Sequence, residues 1–238
     1  HNVETYTYGA SASQSQTFTL THQYLDDNPT GTPSDVYTIN ATVTDDDTLS
    51  GSHSTTAQVD NVAPTLVLDP VSAIDEDGVA TLTGTISDPG TLDTFTLVVD
   101  WGDPLSPHNV ETYTYGASAS QSQTFTLTHQ YLDDNPTPGG TPSFDYTIDV
   151  TVTDDDTGSV NGLATATVNN VAPTIESLAV TSVEENGTVT LTGTYSDVGT
   201  LDTHTVTIDW GEGLPETFAV SGGSFEFSHQ YLNDGVYT

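Results

Sequence analysis

Two short acidic loops, Asp88-Pro-Gly-Thr-Leu-Asp93 and Asp154-Asp155-Asp156, together with the linker Asp60-Asn61-Val-Ala-Pro64, carry the residue types that could do chemistry in this chain. Carboxylates, Asn amides and turn carbonyls are hard oxygen ligands, and several loops offering them together suit Ca2+, which takes roughly six to eight oxygens. Mg2+ demands a tighter octahedron and fits a loose set of loops less well. The candidate metal ligands are Asn61, Asp88 or Asp93, and Asp154 or Asp156, with Asn170, Asp197 and Asp202 at the corresponding positions farther along. No EF-hand loop pattern is present, so constellation and charge carry this reading. The alternative is that these Asp residues only cap turns and solvate loop ends.

Charge favours the cation. The chain has 34 acidic residues, no Lys, no Arg and seven His, a formal net charge of −34 that no internal salt bridge offsets. Counter-charge must come from outside, because self-repulsion on this scale works against a compact state. Nucleic acid and anionic membrane surfaces are excluded as partners, since both need a basic footprint. Direct membrane insertion is excluded too, since no long apolar run exists in a chain that is 34% hydrophobic. With no Cys and no Lys, neither disulfides nor lysine isopeptide bonds can brace the fold. No enzyme is expected: a nucleophile elbow, a Ser-His-Asp context, a Gly-rich phosphate loop and a His-rich metal motif are all missing, and paired carboxylates in an all-acidic chain carry no catalytic signal.

The elements that must position these loops come as repeats. His1 to Thr30 recurs without change at His108 to Thr137. YTINATVTDDDT (Tyr37–Thr48) returns as YTIDVTVTDDDT (Tyr146–Thr157), after a loop longer by two residues. LTGTISDPGTLDTFTLVVDWGD (Leu82–Asp103) returns as LTGTYSDVGTLDTHTVTIDWGE (Leu191–Glu212), and FEFSHQYLNDGVYT begins a third, weaker copy of the first block. The unit is about 107 residues long. The expected division is a C-terminal part of one repeat at 1–62, a whole repeat at 63–170 and an N-terminal part of a third at 171–238. That register reads as an excerpt of a longer polypeptide.

Within the unit, apolar residues alternate strictly. Phe95-Leu97-Val99-Trp101, Tyr146-Ile148-Val150-Val152, Ala80-Leu82-Gly84-Ile86, Phe125-Leu127-His129-Tyr131 and Ala164-Ala166-Val168 each mark a half-buried strand. No stretch has a helical period. About seven short strands per unit, broken by DPG, GDP, DDNP and DDDTG turns, predict an all-β fold of tandem immunoglobulin-like antiparallel β-sandwiches arranged end to end. His22, His129 and His229 are expected to be packed and hydrogen-bonded, Trp101 and Trp210 to be core, and His204 to be a tolerated rim substitution for Phe95. Tyr37, Tyr146 and Tyr237 suit tyrosine corners, whose hydroxyls bond the backbone of the preceding loop. Asn40-Ala-Thr and Asn186-Gly-Thr have the form of glycosylation sequons, a weak signal in a Thr-rich chain.

Tracing the strands up and down through the whole unit gathers the linker at 60–64, the Asp88–Asp93 loop and the Asp154–Asp156 hairpin at one pole, here called the leading pole. Asp75-Glu76-Asp77, Asp103, Asp133-Asp134 and the next linker at 169–173 fall at the other, the trailing pole. End-to-end stacking then sets acid against acid. Without cations the junction repels; with one or more Ca2+ ions it stiffens.

WGDP or WGEG, then HQY, then a Tyr strand running into VTVTDDD, stand in the order WxFGDG, HxY, GxYxVxLxVxD, and in this the unit resembles the polycystic-kidney-disease (PKD) repeat. The matching positions are Asp100–Asp103, His129–Tyr131 and Tyr146–Asp154. The departures are Trp directly before Gly, Pro104 in place of the second Gly, and a longer segment between WGD and HQY. The resemblance implies a β-sandwich spacer or adhesion module, seldom an enzyme. Its calcium-binding members use a linker Asn with Asp residues of the same two loops, which implies the positions named above. Long arrays of this kind resemble the repetitive regions of very large bacterial surface proteins, implying an extracellular, cell-surface location.

The leading functional expectation is a structural module of an extracellular bacterial fibre or giant adhesin, a spacer stiffened by Ca2+ whose partners are neighbouring repeats of the same chain. Strands of about eight residues at roughly 3.3 Å per residue, with loops, give on the order of 35–45 Å per repeat. One alternative is an adhesion array binding polysaccharide or protein, for which Tyr6, Tyr8, Tyr113 and Tyr115 are the aromatic candidates. Another is a filament in which identical chains complete one another by strand addition.

Overall fold

The structure, a computed structural model, describes residues 3–13, 15–135 and 140–237. Those residues contain strands and turns but no helix, so none is long and apolar enough to cross a membrane. Thr, Val and Tyr at alternating positions favour the pleated conformation, and between residues 79 and 154 the burial pattern follows the sequence period.

One hairpin, β1 (Ser34–Thr44) with β2 (Ser50–Asp60), precedes the central sandwich. The sandwich comprises β3 (Thr65–Leu68), β4 (Ile74–Asp75), β5 (Val79–Ser87), β6 (Phe95–Asp100), β7 (Val110–Tyr115), β8 (Ser122–Gln130), β9 (Ser143–Asp154) and β10 (Ser159–Asn169). Its sheets have the orders β3-β5-β8 and β4-β10-β9-β6-β7. Seven strands are expected and the first is split in two. β3 pairs antiparallel with β5, whereas β4 runs parallel to β10 with Ile74 opposite Val168. Pro70, between them, has no N–H to continue a ladder, and the chain changes sheets there. Strand direction alternates as traced, but consecutive strands do not always pair: β5 to β6, β7 to β8 and β8 to β9 cross between sheets, the pattern of an immunoglobulin-like sandwich.

After the sandwich come β11 (Thr174–Val180), β12 (Thr188–Ser196), β13 (His204–Ile208), β14 (Glu216–Val220) and β15 (Ser224–Gln230), in a three-stranded sheet β11-β12-β15 and a pair β13-β14.

The central core is built from the predicted alternation. Leu82, Ile86, Leu97, Val99, Trp101, Ile148, Val150, Val152 and Val168 are fully buried between the sheets. Trp101 ends β6, and the chain then turns at Gly102 with φ +71°, where a Cβ would sit 2.3 Å from the Thr147 carbonyl oxygen. Only glycine fits there. Trp210, Val189 and Ile208 form a smaller version of the same core.

His129 stacks on Trp101 (centroids 5.1 Å apart) with Nε2 3.2 Å from Asp103 Oδ2, and His229 stacks on Trp210 with Nε2 2.9 Å from Glu212 Oε1. These two are the packed, hydrogen-bonded histidines expected. His22 is exposed, a correction to that expectation. Both Trp residues of the chain stack on the other two histidines, and His22 meets Tyr24 edge-on (centroids 4.8 Å apart). Tyr113 and Tyr115 pack against the core, and Tyr113 donates to Glu111.

Candidate metal centre

Each acidic loop is shaped by its own backbone bonds. In the 88–93 loop, Gly90 N–H donates to Asp88 Oδ1 (2.8 Å), an Asx turn that leaves Asp88 Oδ2 facing inward. In the hairpin between β9 and β10, Thr157 takes φ +76° and Gly158 N–H donates to Asp154 Oδ1 (2.6 Å). A Cβ on Gly158 would lie 2.4 Å from Asp154 Oδ2 and 2.8 Å from the linker's Ala63 Cα, so the glycine lets linker and hairpin close on each other. Asn61 then joins the two, its Nδ2 donating to Asp154 Oδ2 at 2.9 Å and its backbone N–H to Pro33 O at 3.0 Å.

The preceding segment supplies the other side. Asp26 Oδ1 accepts from Asn28 N–H (3.0 Å), and Asp26 Oδ2 accepts from Leu92 N–H (2.7 Å) across the junction. At the next junction Asp133 Oδ2 accepts from Leu201 N–H (2.5 Å), the same bond one repeat on. Glu76 binds the following linker, with Oε1 accepting from Val171 N–H (2.7 Å) and its own N–H donating to Asn169 O (2.9 Å). The same bond thus occurs at both linkers.

Tyrosine corners hold the donor loops in place. Tyr146 OH donates to Asp133 O (3.0 Å), Tyr37 OH to Asp26 O (3.1 Å) and to Asn28 O, and Tyr237 OH to Asn233 O (3.2 Å), as expected from sequence. Tyr146 is buried, and Tyr146→Phe would strand the Asp133 carbonyl. We expect a loss of about 1–2 kcal/mol in urea unfolding; an unchanged midpoint would show that the corner does not hold the loop.

Around these loops, carboxylate oxygens from different residues come within 4.8 Å of one another in sets of three: Asp88/Asp93/Asp154, Asp26/Asp27/Asp93 and Asp93/Asp155/Asp156 at the first junction, Glu76/Asp133/Asp134 and Glu76/Asp197/Asp202 at the second. Most are buried: Asp93 and Asp156 are 1% exposed, Asp134 2%, Asp27 3%, Asp88 and Glu76 4%. Among the described residues, the buried side-chain polar atoms left without a hydrogen-bond partner are Asp27 Oδ2, Glu76 Oε2, Asp88 Oδ2, both oxygens of Asp93, Asp134 Oδ2 and Asp156 Oδ1, and every one belongs to these sets. A buried carboxylate oxygen without a partner loses its hydration for nothing in return. A hard divalent cation is what these donors fit.

The cost shows in protonation. Burial, then the charges of Asp26 and Asp88, push Asp93 up to about 8. Burial, then Asp27, pushes Asp156 up to about 6. Asp27, Asp88, Glu76, Asp134 and Asp202 are raised as well, in each case first by burial.

Of the residues named from sequence, Asp88, Asp93, Asp154 and Asp156 lie in the sets of the first junction, and Asp197 and Asp202 in a set of the second, while Asn61 bonds Asp154. Asn170 is exposed, and its backbone N–H donates to Pro142 O at 3.2 Å. Sequence reasoning placed Asp133, Asp134, Glu76 and Asp155 at the acidic poles without counting them as ligands, and passed over Asp26 and Asp27. The legible signal was the repeat itself, since Asp26-Asp27 and Asp133-Asp134 are the same loop. Other trailing-pole acids turn elsewhere: Asp103 to His129, Asp77 to Gln130. His204 also corrects its reading, because its Nε2 lies 2.8 Å from Asp197 Oδ2 and engages the acidic set where Phe95 cannot.

No protein-family model matches the chain, and neither does any curated protein sequence. Among solved structures it is similar to the PKD domain of an M14-like peptidase from Thermoplasmatales archaeon SCGC AB-540-F20, at 15% identity and a TM-score of 0.31 over 46% of this chain and 96% of that one. It is also similar to the CARDB domain of the PF1109 protein in complex with di-metal ions from Pyrococcus furiosus, at 13% identity and a TM-score of 0.26 over 45% of this chain and 93% of that one. The immunoglobulin-like architecture rests on the strand pairing described above.

Proposed function

We propose that the chain is a structural repeat module of a long extracellular bacterial fibre or giant adhesin, a spacer that Ca2+ makes rigid, with repeat boundaries near residues 62 and 170. The observation that carries this reading is the set of buried, unpartnered carboxylate oxygens gathered at both linkers, where Asp27 lies against Asp93 across the first and Glu76 against the half-buried Asp197 and Asp202 across the second. A string of sandwiches joined by short linkers bends freely unless something joins the poles. Pro64 and Pro173 stiffen the linkers only locally, by fixing their own φ and extending the residue before. A cation held from both sides removes the remaining freedom. Ca2+ suits oxygens from several mobile loops better than Mg2+, whose octahedron tolerates less irregularity.

Thermal unfolding with small-angle scattering, in EDTA and then with Ca2+ or Mg2+ titrated at constant ionic strength, tests it. At a hundredfold excess over Kd, Ca2+ should add about 2.7 kcal/mol, a rise of roughly 5–10 °C in Tm, while the scattering profile lengthens to that of a rod. Holding ionic strength constant removes general screening. Equal, small responses to both ions would leave an acidic flexible spacer.

A further inference from the structure

A single Ca2+ ion cannot touch all the acids of a junction. Ca2+–oxygen distances of about 2.4 Å put any two ligands of one ion within about 4.8 Å of each other. The seven carboxylates of the first junction do not form one such group; they form three, overlapping only at Asp93. Those of the second form two, overlapping only at Glu76. Both shared residues are nearly inaccessible; both oxygens of Asp93 are unpartnered, and Glu76 keeps Oε2 free while Oε1 binds the linker.

The sets also differ in origin. Asp88/Asp93/Asp154 and Asp93/Asp155/Asp156 come from one repeat alone, as does Glu76/Asp133/Asp134. Asp26/Asp27/Asp93 and Glu76/Asp197/Asp202 draw on both sides of a linker. Charge points the same way: one divalent ion offsets two of seven negative charges at the first junction, and Asn61 is a neutral partner.

Resting on the calcium reading above, we propose that each junction holds at least two divalent cations in two kinds of site, one built by a single repeat and one spanning two repeats, linked by one shared carboxylate, Asp93 at the first junction and Glu76 at the second. The single-repeat site orders the loops of one pole. The spanning site, completed only when Asp27 or Glu76 is presented by the preceding repeat, locks the two bodies together. Filling the first gathers the shared carboxylate for the second, so array stiffness responds to Ca2+ more steeply than the folding of each repeat.

The test uses the whole chain, counting bound Ca2+ by equilibrium dialysis and native mass spectrometry for wild type, Asp27→Ala, Asp88→Ala and the double variant, each shown to fold by its melting curve, with Asn replacing Ala where folding fails. The expected result is about four ions on wild type, one lost in each single variant and two in the double. By scattering, Asp27→Ala shortens the Ca2+-loaded particle more than Asp88→Ala does. One ion per junction, or a double variant that loses no more than either single one, would overturn the two-site proposal while leaving calcium rigidification standing. No Ca2+-selective uptake by wild type would overturn both.

Discussion

Asp93→Asn is expected to stabilise the Ca2+-free protein and to destabilise the Ca2+-loaded one. This carboxyl is 1% exposed, has no hydrogen-bond partner for either oxygen, and faces Asp26, Asp88 and Asp154. Its affinity for a proton, with a pKa near 8, measures how poorly the site tolerates its charge. Asn keeps the shape, removes the charge and supplies N–H donors to the surrounding carboxylates. At pH 8.5 in EDTA the variant should therefore gain on the order of 1–2 kcal/mol. With Ca2+ in excess the same change removes a carboxylate common to all three acidic sets of the first junction, and most of the binding contribution there, about 3 kcal/mol, goes with it. Urea unfolding of both proteins in both conditions gives four midpoints, and the two lines must cross. Parallel lines would mean that Asp93 is an ordinary structural residue.

The strands were legible because a sandwich writes its core in sequence with a period of two. Each alternating run, from Ala80-Leu82 to Ala166-Val168, faces inward where the alternation put it. Strand direction alone then sorted the loops onto two poles. The split of the first strand at Pro70 was less visible, since β4 is two residues long and shows no period. The candidate site was half legible. Its single-repeat part follows from loops lying near one another in one sandwich, whereas the spanning part depends on how two sandwiches dock, and the docking bonds from Leu92 and Leu201 are backbone N–H groups to which any residue could contribute. His204 was misjudged because a histidine replacing a phenylalanine reads as a rim substitution until Asp197 is placed beside it.

Stability should also depend on pH in opposite directions with and without Ca2+. An ordinary Asp in the unfolded chain titrates near about 4. In the fold Asp93 is raised to about 8 and Asp156 to about 6, and Asp27, Asp88, Glu76, Asp134 and Asp202 move the same way. Between those limits the folded state binds more protons than the unfolded one, so stability falls as pH rises. The contribution is complete below the unfolded value and is lost as pH climbs through the folded ones. One proton's difference amounts to about 1.4 kcal/mol per pH unit, so in EDTA the melting temperature should drop steadily from about pH 5 to pH 8. Ca2+ reverses the sign, because it binds the ionised carboxylates and must compete with protons for them. In saturating Ca2+ the protein should lose stability on acidification over the same range. A melting temperature that falls with acid in EDTA as well would mean that water already satisfies these carboxylates in the metal-free protein, and the unpartnered oxygens would then no longer argue for a cation.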